Sequence, residues 1–390
     1  MDAIILAGGK GTRLSGVYTG LKPMAPLYDR PFVHFVVQHL IDQGVTRLIF
    51  AVGYKHNTLI RYFEGRRDPN VEYIFSIEYE PLGTAGAVRN ALRFVEHPEF
   101  LVVNGDTFCD FKLRDLLWEH MSEDALLTAL YTKSGVHTGV CMVNTASADN
   151  LILEEDTSLE LEVLARTNHN RVTTTRQFFD IGTPESYQNA EQEIHKWLFV
   201  RQPFIVTRTN LGVIVREGVG DIILAAQMVK EAIQNGNKVM WCGNGGSAAM
   251  CQHLSAELVG RFVVPDREPL ASISLTTDTS YLTAQMNDEL GQELFSRQVE
   301  ALGERGDVLI LMSTSGESPN ILDAVGAANK KGVYTIGFTG NTKSTLESCV
   351  DIALVAPDYS TPRIQECHLV MGHTLCDLVE HSIFVKGWRR

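Results

Sequence analysis

Residues 238–260 read KVMWCGNGGSAAMCQHLSAELVG, and this stretch decides how the second half of the chain folds. The apolar run from Val239 to Cys242 predicts a short, buried parallel strand. The run breaks at Gly243, where a series of glycines permits positive φ and a close approach of the backbone to a ligand. Ser247 can cap the helix that follows, and the N-terminus of a helix attracts anions. The stretch therefore predicts a strand, a ligand-binding turn and a helix.

Two polar side chains lie further along the same predicted helix. His253 and Glu257 are four residues apart, so both project from one face. Such a pair is more often part of a solvated surface than a site, and Gly-rich turns are common. The combination fits a small phosphorylated substrate with acid–base or metal chemistry beside its phosphate, provided that other parts of the chain add to it.

Composition limits the class of protein. A chain of 390 residues with 44% hydrophobic and 21% charged residues predicts an ordinary globular protein of two or three domains. No apolar run approaches the roughly 18 to 20 residues of a membrane span, and the N-terminus resembles a strand rather than a leader. Seven cysteines without a Cys-x-x-Cys pair favour a reducing cytoplasm, and a net charge of −13 argues against nucleic acid as a partner.

The second half contains a stronger phosphate signal. The apolar strand predicted at residues 307–312 runs into STSGESPN at residues 313–320, and a helix follows. Four hydroxyls precede a helix that has a proline in its first turn, an arrangement suited to an anion, although plain capping is an alternative. Further strands at 270–275, 333–339 and 352–355 predict a parallel sheet with helices on both sides.

The last predicted helix, residues 363–384, carries Gln365 and His373. Eight positions at about 100° each leave these side chains ~80° apart, on one broad face. A histidine in a long helix is usually structural. Together with His253 and Glu257, however, they make a suitable tetrahedral Zn²⁺ set.

Residues from about 218 to 385 resemble the sugar-isomerase (SIS) family, and within it the phosphoheptose isomerases. The resemblance rests on the following sequence motifs: CGNGGS at 242–247, TTDTS at 276–280, FSRQVE at 295–300, STSG at 313–316, RIQE at 363–366 and Gly372-His373. It implies that the phosphate is held by Ser313, Thr314, Ser315 and Ser318. It implies sugar contacts from Asn244, Gly245, Gly246, Ser247, Glu257, Asn287, Asp288 and Gln365. It implies zinc ligands at His253, Glu257, Gln365 and His373; Glu317 departs from the usual Asn.

The residue types indicate a mechanism. Conversion of a 2-ketose to an aldose moves a proton between C1 and C2 through an enediol, which a carboxylate and an imidazole can do. We assign Glu257 as the base and His373 as the partner acid. A carboxylate bound tightly to Zn²⁺ is a poor base, so either Glu257 leaves the metal or another group moves the proton.

The first half begins with a second Gly-rich loop. The predicted strand 2–6 leads into GGKGTRL at 8–14 and then KPMAP at 22–26. Glycine backbone N–H groups with Arg13 and Lys22 suit a triphosphate, but the loop matches neither a P-loop nor a dinucleotide fingerprint. Asp106 after the strand 100–103 and Asp180 further on can hold Mg²⁺ for an in-line nucleotidyl transfer, or can be turn residues.

Residues 1 to about 193 resemble the sugar-1-phosphate nucleotidyltransferases, nearest the branch that guanylylates heptose 1-phosphate. The resemblance rests on residues 8–14, 22–24, 104–106 and EPLGTAGA at 80–87. It implies that Arg13 and Lys22 assist transfer and that Asp106 and Asp180 hold magnesium. The nucleotide contacts that it implies are Leu6, Ala7, Gly8, Gly9, Gly11, Thr12, Arg13, Lys22, Leu82, Gly83, Thr84 and Asp106. The Phe-x-Glu-Lys motif of the family, whose lysine binds the sugar phosphate, is absent. The acidic run EED at 154–156 does not replace it.

The sequence therefore predicts an α/β protein of two domains: a Rossmann-like nucleotidyltransferase sheet over 1–197, shortened, and a SIS-type parallel α/β/α sandwich over 198–390. The predicted function is isomerisation of sedoheptulose 7-phosphate, with transfer of a nucleotide, GMP by resemblance, to heptose 1-phosphate. Two alternatives are a first domain that only senses sugar nucleotides or assists assembly, and a SIS domain that is a mere phosphosugar-binding regulator. The resemblance also implies a homotetramer assembled through the SIS domain.

Overall fold

The computed structural model forms two compact units, Met1–Leu198 and Phe199–Arg390. It describes the chain except for residues 10–13, 15–16, 124, 153–156, 341–342 and 386–390. Each unit has its own sheet and core.

The strands of the first unit largely follow the apolar runs in the sequence. They are β1 Asp2–Leu6, β2 Pro26–Leu27, β3 Arg30–Pro31, β4 Arg47–Val52, β5 Glu72–Ile77, β6 Glu99–Asn104, β7 Thr107–Cys109, β8 Leu127–Thr132, β9 His137–Asn144, β10 Asn170–Thr174 and β11 Phe178–Asp180. Seven of them form one sheet in the order β10-β8-β9-β6-β1-β4-β5. Successive residues point to opposite faces, so Ile5 and Phe50 enter one core while Ile4 and Ile49 enter the other.

Helices cover both faces of this sheet. They are α1 Phe32–Asp42, α2 His56–Glu64, α3 Gly83–Ala91, α4 Leu113–Ser122, α5 Ala148–Leu151, α6 Leu164–Arg166 and α7 Pro184–Glu217, with a π-helical turn at Leu159–Val163.

The alternation of strands and helices in the first half predicts a parallel sheet, but the observed sheet is mixed, with one antiparallel strand. β9 runs antiparallel to both β6 and β8. A short loop joins β8 to β9, and such a connection makes a hairpin, whereas a parallel pair needs a long crossover. A separate antiparallel ribbon pairs β7 with β11 and sets Asp180 opposite Thr107.

The second unit is the parallel sandwich that the alternation predicts. Its strands are β12 Val239–Gly243, β13 Ser272–Ser274, β14 Val308–Met312, β15 Tyr334–Gly340 and β16 Ile352–Ala356, in the order β13-β12-β14-β15-β16, and all pairs are parallel. Its helices are α8 Val219–Gln234, α9 Gly246–Val259, α10 Thr279–Asn287, α11 Ser296–Leu302, α12 Pro319–Lys331, α13 Thr345–Cys349 and α14 Thr361–Phe384. Trp241 and Ile310 enter one core, and Met240 and Leu309 the other.

The region between the two units differs from the prediction. The sequence predicts a helix that ends near Lys196 and a mixed segment from Trp197 to Arg208, yet α7 continues without a break to Glu217 with Pro203 inside it. Ala190 and Ile194 at one end of α7 belong to the core of the first unit, and Ile214 at the other end belongs to the core of the second. Burial at both ends outweighs the local cost of the proline.

None of the helices in the described part of the chain combines the length and the apolar character that crossing a membrane requires.

Candidate active sites

The turn after β12 is the first part of the candidate site in the second unit. Gly245 has φ 53°, which L side chains rarely adopt, and it immediately precedes α9. The helix therefore begins one residue before Ser247, which lies buried in its first turn and makes no capping bond. The predicted capping role of Ser247 is wrong, because the glycine turn starts the helix earlier than a serine cap would.

A cluster of two histidines and a glutamate forms where α9 and α14 pack together. His253 Nε2 and His373 Nε2 are 2.8 Å apart, although the two residues are 120 positions apart in the chain. Glu257 Oε1 lies 3.6 Å from His253 Nε2, one helical turn along α9. The ring of Phe262 stacks on His373 with 5.5 Å between the ring centroids. The structure thus brings together three of the four side chains that the resemblance assigns to zinc.

This cluster fits a metal ion. One ligand atom from each of His253, Glu257 and His373 lies within 4.8 Å of the other two. Two imidazole nitrogens bound tetrahedrally at about 2.0–2.1 Å from zinc are roughly 3.3 Å apart, so the two imidazoles, whose Nε2 atoms are 2.8 Å apart, need to separate only slightly to hold the ion. Two histidines and one carboxylate, with a further position free, form the donor set of many zinc enzymes.

A buried ion pair holds the chain segment that follows α9 against α14. Glu380 and Arg267 have side-chain exposures of 0% and 1%, and the guanidinium donates to the carboxylate. The same carboxylate accepts backbone N–H groups from Phe262, Val263 and Val264 at 3.0, 2.7 and 2.8 Å. Burial raises the pKa of Glu380, but these donors outweigh burial and lower that pKa to about 2.

This ion pair also reaches the cluster. Arg267 Nη2 donates to the backbone carbonyl of Glu257 at 2.7 Å. The Arg267–Glu380 pair therefore supports α9 close to its catalytic candidates as well as supporting the fold.

The hydroxyl loop lies between β14 and α12, as the sequence predicts. Ser313 is buried, and its Oγ accepts the Gly316 N–H at 3.1 Å and lies 3.3 Å from Ser318 Oγ. Ser318 occupies the cap position of α12, but its side chain makes no capping bond. Its hydroxyl is therefore available to a ligand at the N-terminus of the helix.

Two contacts border this loop. Asn244 of the glycine turn and Asn320 of α12 exchange a pair of amide hydrogen bonds, each 2.9 Å long, which join the two predicted ligand loops. Glu317, where the family usually has Asn, accepts the N–H and the hydroxyl of Thr345, each at 2.7 Å, and these bonds lower its pKa. Glu317 thus secures the start of α13.

The structure gives less support to the remaining predicted sugar contacts. The amide of Gln365 lies against Gly246, where an added Cβ would stand 2.6 Å from the Gln365 nitrogen. Asn287 and Asp288 are exposed at the end of α10 and are joined to each other by a 3.0 Å hydrogen bond. Assignment of Gln365 to the metal, and of Asn287 and Asp288 to the sugar, stays a prediction.

The first unit contains a cavity of 860 Å³ at the carboxyl edge of its sheet. Parallel strands end at this edge, which is where open α/β sheets bind ligands. Predicted nucleotide contacts line the cavity: Leu6, Gly8, Gly9, Gly83, Thr84 and Asp106. Gly83 has φ 72° and faces the Thr157 carbonyl so closely that a Cβ cannot fit. Ala7 and Leu82 adjoin lining residues, whereas residues 10–13, which include the predicted Gly11, Thr12 and Arg13, lie outside the described part of the chain.

The predicted magnesium carboxylates lie near Lys22. Its ammonium pairs with the carboxylate of Asp106, and an added Cβ at Gly182 would stand 3.7 Å from Lys22 Nζ and 2.9 Å from Asp180 Oδ1. The β7–β11 ribbon produces this proximity, since Ile181 N–H also donates to the Asp106 carbonyl at 3.2 Å. The Asp106 carboxylate thus already binds a cation, the Lys22 ammonium, which is consistent with its predicted cation-binding role.

A second cavity, of 520 Å³, contains polar residues that the sequence did not single out. Tyr131 hydrogen-bonds to His169 Nε2 at 2.9 Å, and the Arg171 guanidinium lies 3.8 Å from the centroid of the Tyr131 ring. Glu160 and His137 also line it, and burial lowers the pKa of His137. These residues share no short motif, so only their packing reveals the cluster.

Comparisons with known proteins agree with this division. Residues 207–340 match the SIS domain family, and residues 2–152 match the nucleotidyl transferase family. A phosphoheptose isomerase of Burkholderia pseudomallei is 52% identical over 169 residues, which cover 42% of this chain and 85% of that protein. The chain belongs to the phosphoheptose isomerase family.

Solved structures include relatives of both halves. Phosphoheptose isomerase GmhA from Neisseria gonorrhoeae is 38% identical with a TM-score of 0.43, covering 46% of this chain and 97% of its own. HddC from Yersinia pseudotuberculosis, complexed with GMP-PN, is 29% identical with a TM-score of 0.44, covering 50% of this chain and 99% of its own. As a member of the phosphoheptose isomerase family with an added nucleotidyl transferase domain, this chain is an enzyme with isomerase activity, and it acts in heptose metabolism.

Proposed function

We propose that the domain formed by residues 198–390 converts D-sedoheptulose 7-phosphate to D-glycero-D-manno-heptose 7-phosphate. The observation that carries this proposal is the meeting of His253, Glu257 and His373 on two helices. In the proposed reaction Glu257 removes the proton from C1 of the ketose and returns it to C2 of the enediol, while His373 exchanges a proton with the substrate oxygens.

A metal ion fits the same cluster. We propose Zn²⁺, held by His253, Glu257 and His373 with Gln365 as the fourth side chain, which when bound would polarise the substrate oxygens. The protein's own residues would orient the sugar. Asn244, Gly245, Gly246 and Ser247 in the turn before α9 would face it, and Asn287 and Asp288 would complete its surroundings.

The hydroxyl loop supports binding of the 7-phosphate. Ser313, Thr314, Ser315 and Ser318 would donate to the phosphate oxygens at the N-terminus of α12, where helix polarity favours an anion. The side-chain hydroxyls lie within reach of one another, with Ser313 Oγ 3.3 Å from Ser318 Oγ and 3.5 Å from Ser315 Oγ.

Ser318→Ala is expected to raise KM for sedoheptulose 7-phosphate about tenfold to a hundredfold with little change in kcat. It removes one hydrogen bond to a charged group that is present in both ground state and transition state. Steady-state isomerase kinetics measure the effect. Ser348→Ala, which removes an exposed hydroxyl on α13 whose only described bond is to the Thr345 carbonyl, is the matched control. A fall in kcat at unchanged KM would contradict the assignment of Ser318 to the phosphate.

For the domain formed by residues 1–197 we propose transfer of a nucleotide, GMP, to heptose 1-phosphate. The triphosphate would lie along the glycines after β1, assisted by Arg13 and Lys22, and Mg²⁺ would lie between Asp106 and Asp180. Lys22 would then leave Asp106 and turn to the triphosphate. The two proposed reactions are not consecutive steps, so fusion offers shared expression rather than direct transfer of an intermediate.

Asp106→Asn is expected to lower pyrophosphate release from GTP and heptose 1-phosphate about a thousandfold, because it removes a ligand of the ion that neutralises the triphosphate. Isomerisation by the same preparation should stay unchanged, since Asp106 lies in the other compact unit. Asp115→Asn, an exposed carboxylate on α4, serves as the control. If even the unaltered chain releases no pyrophosphate, the alternative in which this domain only senses sugar nucleotides is favoured. The absence of the Phe-x-Glu-Lys motif supports that alternative.

We further propose a cytoplasmic homotetramer assembled through the second domain. Exposed apolar side chains on α7 and α8, among them Phe199, Phe204 and Leu224 at 77%, 73% and 54% exposure, support assembly through this part of the chain. Metal analysis together with conversion of sedoheptulose 7-phosphate by the full chain is the most direct test of the proposed isomerase.

A further inference from the structure

A buried histidine on α14 has no part in the function described so far. His368 lies three positions after Gln365 and five before His373, and it is fully buried. Its Nε2 lies 3.1 Å from the backbone carbonyl of Thr339, near the end of β15. Burial lowers the pKa of His368 to about 4, so the ring is neutral near pH 7. Because a carbonyl only accepts, Nε2 carries the proton and Nδ1 carries none.

An imidazole is an unfavourable group to bury at this position. Its Nδ1 has no hydrogen-bond partner in the part of the chain that the structure describes. A buried acceptor without a donor costs free energy, and an apolar side chain of similar size would avoid that cost. What distinguishes His368 from such a side chain is the hydrogen bond from its Nε2 to Thr339.

The ring of His368 packs against the strand end that holds the start of the hydroxyl loop. It meets the Phe338 ring edge-on, with 5.6 Å between the centroids and 82° between the planes. The Phe338 carbonyl in turn accepts the N–H of Ser313 at 3.0 Å. A displacement of this end of β15 would therefore displace Ser313, the first of the hydroxyls proposed to bind the phosphate.

The middle of the hydroxyl loop rests on the same strand end. Gly316 has φ 68°, and an added Cβ there would clash with Ser344 Oγ and Thr339 Oγ1. These two hydroxyls are 3.0 Å apart, and the Gly316 carbonyl accepts the N–H of Leu346 at 3.0 Å. A continuous series of contacts thus runs from His368 through Thr339 to the loop.

We infer that His368 is a positioning residue for the phosphate of the substrate, because its bond to Thr339 fixes the hydroxyl loop in the geometry that receives the phosphate. The inference rests on the proposed binding of the 7-phosphate by this loop. Groups that bind a ligand are effective when their supports hold them within about 0.5 Å of the productive geometry. Since α14 also carries His373, the same bond connects the phosphate site to the helix of the metal cluster.

His368→Leu tests this inference, because it removes the donor and keeps a buried side chain of similar volume. The variant is expected to raise KM for sedoheptulose 7-phosphate and the inhibition constant of inorganic phosphate together, each about tenfold. The value of kcat should stay within about threefold, since the loop contacts the phosphate in the ground state and the transition state alike. His368→Gln can place its amide nitrogen where the imidazole Nε2 lies, and it is expected to restore both constants.

Two further variants separate positioning from stability. The nitrogen of His368→Asn lies near the place of Nδ1 and falls short of Thr339, so this variant is expected to resemble His368→Leu although it is as polar as His368→Gln. His381→Leu makes the same change elsewhere on α14, where the imidazole contacts the Asp377 carbonyl at 3.0 Å, and should keep both constants. Thermal unfolding shows which variants are folded, and the comparison of Gln with Asn applies even where His368→Leu is not.

The outcomes separate the two proposals. If Ser318→Ala leaves KM and the inhibition constant of phosphate unchanged, the hydroxyl loop does not bind the phosphate, and the role of His368 is overturned with it. If Ser318→Ala raises both constants but His368→Leu lowers only the thermal stability, or if His368→Gln and His368→Asn have equal constants, positioning by His368 is overturned while phosphate binding by the loop stands.

Discussion

Glu257→Gln is expected to lower kcat for conversion of sedoheptulose 7-phosphate by about 10²- to 10⁴-fold, the contribution that a positioned general base makes. The amide has nearly the same shape as the carboxylate but cannot take a proton from C1. Because the two side chains have matching shapes, the substitution is expected to leave His253, whose Nε2 lies 3.6 Å from Glu257 Oε1, in place. Stopped assays of aldose formation, with metal content measured on the same samples, check the result.

The metal content separates the two roles assigned to Glu257. A variant that keeps its metal and loses turnover indicates a base, whereas a variant that loses both indicates a ligand. Glu300→Gln, an exposed carboxylate on α11, is the matched control and should retain full turnover. Full turnover by Glu257→Gln would refute its assignment as the base and leave the proton transfer to another group.

Glu380→Ala is expected to lower the free energy of unfolding of the second unit by about 3–5 kcal/mol, because it leaves the buried Arg267 guanidinium unpaired. Three backbone N–H donors, those of Phe262, Val263 and Val264, lose their acceptor at the same time. Scanning calorimetry of the full chain measures the loss, and hydrogen exchange of Val263 and Val264 assigns it to this unit. Replacing both partners with apolar residues should recover part of the loss, since no charge is then buried alone.

The pH dependence of stability gives an independent check. The folded-state pKa of Glu380 is about 2, below the ordinary value of 4.5, so the folded state favours the ionised form. Its contribution, about 3 kcal/mol from the pKa difference, is fully present above pH 4.5 and is lost as the pH falls through 4.5 toward 2. Glu380→Ala should remove this part of the acid destabilisation. Identical acid unfolding of the variant and the unaltered chain would show that the ion pair does not stabilise the fold.

Regular elements followed the sequence closely where apolar runs were short and bounded by turn residues. The strand predicted at 2–6 is β1 without change, and those predicted at 307–312 and 352–355 differ by one residue from β14 and β16. The direction of the strands did not follow from the apolar pattern. The apolar pattern of β9 is the same in either direction, so only its hairpin with β8 made it antiparallel.

The candidate sites divide in the same way. The glycine turn at 243–246 and the hydroxyl loop at 313–318 are local, so their residue types predicted a role that the structure is consistent with. Glu78, which lines the 860 Å³ cavity, was not singled out, although a charged residue directly after a predicted strand at the carboxyl edge is a usable signal. The cluster of Tyr131, His169 and Arg171 carried no signal, because Tyr131 lies on β8, 38 positions before His169.

The sequence by itself determined the class of each domain and the residue types available for chemistry, because periodicity, turn glycines and helix starts are properties of a few neighbouring residues. Only the tertiary structure decided that His373 meets His253 across 120 positions, that Arg267 and Glu380 are buried together, and that Glu78 faces a cavity. These depend on which helices and strands pack side by side, and packing is set by burial summed over the whole domain rather than by any one segment.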